Sequence, residues 1–168
     1  MAKTAPALRP YLPADAKALA ALFCASVETL AADDYDADQL AAWSSAADDE
    51  AAFAARLAGS LTIVALVAGK IAGFASLKDS AVFDMLYVRP DMAGEGVGSA
   101  LADAIEKLAV ARGTKMLRVD ASDAARDFFA RRGYIATSRN TLAVGGEWLG
   151  NTTMTKEFAA PAAQKAHG

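Results

Sequence analysis

Three alternate glycines, Gly94, Gly96 and Gly98, stand where an apolar run ending at Val88 passes through Pro90 into a loop and then into helical periodicity from Val97. Glycine lets main-chain N–H groups close in on a ligand, and the helix that follows adds the positive end of its dipole. A pyrophosphate is the natural guest of such a turn, which points to a nucleotide-bearing cosubstrate. The plainer alternative is a tight strand-to-helix turn whose glycines serve only to reach φ > 0. Spacing separates this loop from two other phosphate binders. A dinucleotide fingerprint needs a third glycine where this chain has Ser99, and a P-loop needs Gly-Lys-Ser/Thr, which does not follow these glycines.

Other styles of catalysis lack their parts. The one histidine, His167, lies in the last residues, so Ser-His-Asp and Cys-His arrangements and histidine metal sites are not expected, and no metal is called for. Cys24 falls within an amphipathic helix, where a small buried side chain is the expected role, and a single cysteine forms no internal disulfide. A net charge of −3 argues against nucleic acid as a partner, and no apolar run approaches the roughly 20 residues of a membrane span. Met1 to Ala7 has no long apolar core, so a reducing cytoplasm is the expected setting.

The elements that must hold the loop in place follow from periodicity. Ala7 to Tyr11 reads as a strand, and Pro13-Ala14-Asp15 opens a helix with Leu19, Leu22, Phe23 and Val27 on one face. Further helices are expected over Asp36 to Ser44 and Asp48 to Ala58, closed by Gly59. Leu61 to Ala68 and Ile71 to Lys78 form a hairpin about Gly69-Lys70, with Val82 to Val88 as a third antiparallel strand. Val97, Leu101, Ile105 and Leu108 mark a long helix that ends near Arg112-Gly113. Met116 to Asp120 is the next strand, and Ser122 is placed to cap a helix running to Arg132. Tyr134 to Val144 and Glu147 to Glu157 then make a hairpin about Gly145-Gly146, and residues 159–168 read as a loose tail.

This order of elements resembles the GNAT superfamily of N-acyltransferases, an α/β (α+β) fold with a mixed, mostly antiparallel central sheet flanked by helices. The resemblance spans residues 1–158 as one domain. It rests on Leu8-Arg9-Pro10-Tyr11-Leu12-Pro13-Ala14-Asp15, on Asp84-Met85-Leu86-Tyr87-Val88-Arg89-Pro90, and on Asp120-Ala121-Ser122 leading to Phe128-Phe129-Ala130-Arg131-Arg132-Gly133-Tyr134. Within the superfamily these landmarks are most similar to the YafP-like branch. The superfamily's acyl-CoA motif, Gln/Arg-x-x-Gly-x-Gly/Ala, is matched by Gly96 and Gly98, whereas Ala93 occupies the Gln/Arg position.

The resemblance implies acetyl-CoA as cosubstrate and a primary amine of a small molecule or peptide as acceptor, with direct transfer in a ternary complex. The backbone of Leu86, Tyr87 and Val88 would pair with the pantetheine arm, and the N–H groups of Gly94, Glu95, Gly96, Val97, Gly98 and Ser99 would hold the pyrophosphate. The Leu86 N–H is the candidate oxyanion donor. An ammonium must lose a proton before it attacks, which makes Asp84, an acid in an otherwise apolar strand, the candidate base; period 2 places it on the face of Leu86 and Val88. An ion pair with an arginine is its alternative role. Asp120 is the second candidate, with a loop role as its alternative.

The tyrosine that many members use to protonate the departing thiolate is Phe129 here, and the usual asparagine that meets the pantetheine is Ser122. Tyr87 and Tyr134 are the candidate substitutes, with roles as core or sheet aromatics as the alternative. Asp33, Asp34, Asp36, Asp38, Asp48, Asp49 and Glu50 cluster in the helical flap, either to attract a cationic acceptor or as helix caps and solvated faces, with Tyr35, Trp43 and Trp148 as a candidate aromatic wall. A homodimer through paired sheets is compatible with the pattern. A non-catalytic acyl-CoA sensor is the alternative function, suggested by Phe129 and Ala93.

Overall fold

The computed structural model describes residues 5–159. Among these residues seven strands and five α-helices follow in the order β1 (Ala7–Pro10), α1 (Ala16–Leu30), α2 (Ala37–Ser44), α3 (Glu50–Ala58), β2 (Leu61–Val67), β3 (Lys70–Lys78), β4 (Val82–Val88), α4 (Val97–Ala111), β5 (Met116–Ser122), α5 (Arg126–Arg131), β6 (Ile135–Val144) and β7 (Glu147–Glu157). The strands form one sheet in the order β1-β2-β3-β4-β5-β7-β6. Every neighbouring pair is antiparallel except β4 and β5, which run parallel and pair only at Val82 and Arg118. Beyond that point the two central strands diverge.

Alternation along the strands builds a core on each face of the sheet. On one side Leu101, Ala102, Ile105 and Ala109 of α4 pack on Ala75, Leu77, Leu117 and Val119. On the other, Leu19, Phe23 and Val27 of α1 and Phe53 and Leu57 of α3 pack on Val64, Phe74 and Met85. Leu101 and Ile105 are completely buried, each worth about 1.5–3 kcal/mol relative to exposure. Gly73 is what lets α4 sit so close: a Cβ there would lie 2.8 Å from the Tyr87 carbonyl oxygen and 3.1 Å from both Leu101 and Val97.

Several boundaries differ from the sequence expectation for local reasons. The β2–β3 turn is Ala68-Gly69, not Gly69-Lys70, because Val67 pairs with Lys70 and the two-residue loop takes φ of +52° and +78°. Ser122 closes β5 and α5 begins at Arg126; the Ser122 Oγ accepts from the Ala125 N–H at 3.2 Å and so caps the intervening turn. Helix α3 begins after Asp49, whose carboxylate accepts from the Ala52 N–H at 3.0 Å, and α2 is capped by Asp36 in a reciprocal pair with Gln39. Tyr134 is buried ahead of β6, with its hydroxyl donating to Glu106 at 3.0 Å. The expected tail lies outside the described residues apart from Ala159.

Candidate active site

The divergence of β4 from β5 opens a cleft of about 840 Å³. Its walls are β4 from Phe83 to Val88, β5 from Val119 to Ser122, the glycine loop, Phe128 and Phe129 of α5, the end of α1, and Leu142, Val144, Leu149, Gly150 and Asn151 of the last hairpin. Most of the candidate residues lie on these walls, where the fold brings Asp84, Leu86, Asp120, Ser122 and Phe129 around one space.

At the loop, Gly94 and Gly96 take the left-handed conformation with φ of +78° and +86°, and nothing lies within 4 Å of where a Cβ would be. Gly98 is already helical, and a Cβ there would make ordinary contacts with Phe128 and Val88 at 3.7 Å. The first hydrogen bond of α4 runs from the Ala100 N–H to the Gly96 carbonyl, and no side chain caps the helix. The N–H groups of Val97, Gly98 and Ser99 therefore lead the helix N-terminus, where partial positive charge accumulates.

One of the expected cradle residues is corrected. Glu95 does not line the cleft: it is exposed, and its N–H donates to the Met92 carbonyl at 3.3 Å within the loop itself. The Val97 side chain turns away into the core against Gly73, where it is 1% exposed, which leaves only its main chain to face a ligand. At the entry to the loop, Arg89 donates to both carboxylate oxygens of Asp91, at 2.7 and 2.8 Å, and to the Ile71 carbonyl at 3.2 Å.

Main-chain polarity along β4 follows from its register. The Arg89 N–H donates to Ala72 on the β3 side at 2.8 Å, and Val88 pairs with Gly73, so the antiparallel alternation turns the peptide groups of Leu86 and Val88 away from β3 and into the cleft. Because β5 has already diverged, this is a strand edge inside the protein. It is available to an extended ligand with amide groups.

Asp84 sits in a β-bulge. Ser76 pairs with Met85 and Leu77 with Phe83, so Asp84 has no partner in β3. The bulge overturns the expectation from strict period 2. Leu86 and Val88 pack against the α4 core, whereas Asp84 turns toward the α1–α3 side and its Oδ2 accepts from the Arg56 Nε at 3.0 Å. Its side chain is 18% exposed and lines the cleft. Asp120 also lines the cleft, but both its oxygens are engaged within the sheet. Oδ2 accepts from Arg118 at 2.8 Å, and Oδ1 accepts from the Thr153 hydroxyl at 2.7 Å.

Phe129 closes the floor of the cleft. It is 2% exposed and stacked edge-on with Phe83, Phe128 and Tyr134 at centroid distances of 5.1–5.2 Å. Of the two substitute tyrosines, Tyr134 lies outside the cleft and is held by Glu106; burial and that carboxylate both raise its pKa. Tyr87 lines the cleft, ringed by Phe23, Phe74 and Trp43. Burial pushes its pKa up to about 12, against the opposing pull of the Trp43 indole and Arg56.

The flap closes the cleft from above. The Tyr35 hydroxyl donates to the Gly150 carbonyl at 2.7 Å and accepts from the Asp123 N–H at 2.9 Å, which joins the α1–α2 loop to both β7 and the β5–α5 loop. Arg139 forms a two-pronged ion pair with Asp123 and lowers its pKa. Of the expected aromatic wall, Tyr35 and Trp43 are in place, edge-to-face at 5.5 Å, while Trp148 lies outside the cleft and is 66% exposed. Among the cleft residues missed in the sequence are two basic ones, Arg56 and Arg131. Each resembles an ordinary basic residue in the last turn of its helix, and only the folded chain carries it to the cleft.

Among the described residues no helix is long and apolar enough to cross a membrane. The profile of the family described as Acetyltransferase (GNAT) domain matches residues 31–158. The chain is 33% identical over 147 residues to N-acetyltransferase YafP of Escherichia coli strain K12, an alignment covering 88% of this chain and 93% of that protein. A crystal structure of a GCN5-related N-acetyltransferase from Rhodopseudomonas palustris is 60% identical, with a TM-score of 0.92 over 94% of this chain and 99% of that one. The PaiA N-acetyltransferase of Thermoplasma acidophilum, crystallised with coenzyme A, shares the fold at 16% identity, with a TM-score of 0.78 over 92% of this chain and 100% of that one.

Proposed function

Since the chain belongs to the GNAT family of acetyltransferases, we propose that it moves an acetyl group from acetyl-CoA to a primary amine of a small molecule or peptide, directly, with both substrates bound. The observation that carries this reading is the interrupted β4–β5 pairing. It leaves the Leu86 and Val88 peptide groups facing a cleft that ends at the N-terminus of α4.

The diphosphate rests on the main chain of Gly94, Gly96 and the first turn of α4, while the pantetheine arm pairs along Leu86 to Val88. Ser122 and Phe129 flank the arm, and the Leu86 N–H faces the oxyanion as the tetrahedral intermediate forms. A lysine-like amine with a pKa of ~10.4 is neutral only about once in two thousand molecules at pH 7, so a base is needed. Asp84 takes that proton through Oδ1, the oxygen that Arg56 does not occupy. The amine nitrogen bonds to the carbonyl carbon, the C–S bond breaks, and coenzyme A departs as a thiolate. Tyr87 is the candidate proton donor to the sulfur; its phenol is protonated at neutral pH, and burial, which raises its pKa to about 12, makes it a weaker acid than an ordinary tyrosine. A thiol with a pKa of ~8.5 leaves readily, so this assistance is small.

The same reading takes residues 1–158 as one catalytic domain at work in a reducing cytoplasm. Calorimetry with coenzyme A and acetyl-CoA, followed by thiol release on a panel of primary amines, tests it. Saturable binding and amine-dependent thiol release are expected; a well-folded sample that binds neither form of the coenzyme overturns the proposal.

A further inference from the structure

Arg56 holds Asp84 with only one of its nitrogens. The contact runs from Nε to Oδ2 at 3.0 Å, and among the described residues the two Nη groups have no hydrogen-bond or ion-pair partner. The side chain is 43% exposed and lines the cleft beside Asp84, Trp43 and Tyr87. A guanidinium offers a flat fork of donors matched to a carboxylate, so a fork left open in a ligand cleft is a recognition element.

Arg56 is badly placed for the cosubstrate's diphosphate. Asp84 stands four residues before Val88, or about 13 Å along the strand, and the glycine loop lies further on. The guanidinium therefore faces the end of the cleft bounded by the flap. The flap carboxylates that looked able to attract a cation are partly committed elsewhere, with Asp36 and Asp49 capping α2 and α3. A polyamine would press a second ammonium toward Arg56. An amine that carries its own carboxylate would not, because its nitrogen can meet Asp84 while its carboxylate meets the Nη pair.

Resting on the transferase reading above, we propose that Arg56 selects the acceptor: the substrate is an amino acid, a primary amine with a carboxylate two or three bonds from the nitrogen, rather than a polyamine or a peptide N-terminus. The side-chain end of such an acceptor meets Val27, Leu30, Leu142, Val144 and Leu149, which favours apolar amino acids.

The test compares L-leucine, L-methionine and L-phenylalanine, each with its carboxamide and its decarboxylated amine. It uses the full chain, Arg56→Gln and Arg56→Lys, with thiol release and calorimetry on the coenzyme A complex as readouts. In the wild type the carboxylate should raise kcat/KM by about 10- to 100-fold, the usual worth of a charge-assisted hydrogen bond. Arg56→Gln should erase that preference, Arg56→Lys should restore part of it, and coenzyme A affinity should stay unchanged in both as the control for folding. Equal rates on acid, amide and amine, or a preference that survives in Arg56→Gln, overturn the Arg56 role while leaving the transferase reading standing. Selective binding of the amino acids with no thiol released on any amine would instead sink the transferase reading and keep the Arg56 contact.

Discussion

On the transferase reading, the two ends of the cleft would recognise their ligands by different means. The donor end is made of main chain: Gly94, Gly96, the uncapped first turn of α4, and the turned-out peptide groups of Leu86 and Val88. The acceptor end is made of side chains, with Arg56 from α3, Asp84 from the β4 bulge, Trp43 from α2 and Tyr35 from the α1–α2 loop. Backbone donors tolerate changes of side chain, so on this reading Ala93 and Glu95 can stand in the loop without destroying it. Side-chain recognition does not tolerate such changes, so specificity would be concentrated at the far end.

Asp84→Asn breaks the acceptor end hardest. Turnover should fall by about 10²- to 10⁴-fold near neutral pH, as expected when a positioned base is lost. The deficit should shrink at high pH, where the amine deprotonates unaided, and coenzyme A affinity should hold. A deficit of the same size at every pH would remove Asp84 from the base role.

Gly96→Ala probes the donor end. Forcing a Cβ into the left-handed conformation costs about 1–2 kcal/mol, so coenzyme A should bind roughly tenfold more weakly by calorimetry while the ranking of acceptors is preserved. A changed ranking would mean that the two ends do not work independently.

Tyr35→Phe leaves the Gly150 carbonyl and the Asp123 N–H without their shared partner. The melting temperature should drop by a few degrees, for a loss of about 1–2 kcal/mol, and the acceptor KM should rise with little effect on the donor. An unchanged melting curve would show that the flap is not held by this hydroxyl.

The smallest effect is on acid stability. Arg139 lowers the Asp123 pKa in the folded state, so the pair stabilises the fold fully above the ordinary Asp value of ~3.9, and the contribution fades as pH falls below it. Denaturant titrations of wild type and Asp123→Asn should therefore differ most near neutrality, and the gap should narrow as pH falls below ~3.9. A gap that stays the same size as pH falls would assign the stabilisation to something other than the charge.

How much of this was legible in the chain depends on the range of the interaction involved. Short-range patterns read well: the glycine loop, the Asp36 cap, the Gly145-Gly146 turn and the amphipathic face of α4 are each specified within a few residues. The bulge at Asp84 did not, because period 2 is the default for a strand and one extra residue shows only against the register of β3. Arg56 was equally hidden. Its partner lies 28 residues away, and its own neighbourhood reads as a helix end.

The amino-acid order alone determined the succession of strands and helices, the glycine turn ahead of α4, and the presence of an acid within the fourth strand, because each depends on local conformational preference and burial period. Only the folded chain decided which face that acid occupies, which arginine meets it, and that β4 and β5 separate after a single pairing. Those outcomes depend on packing between segments far apart in sequence, where the competing arrangements share the same local signals and differ only in how the two cores close on either side of the sheet.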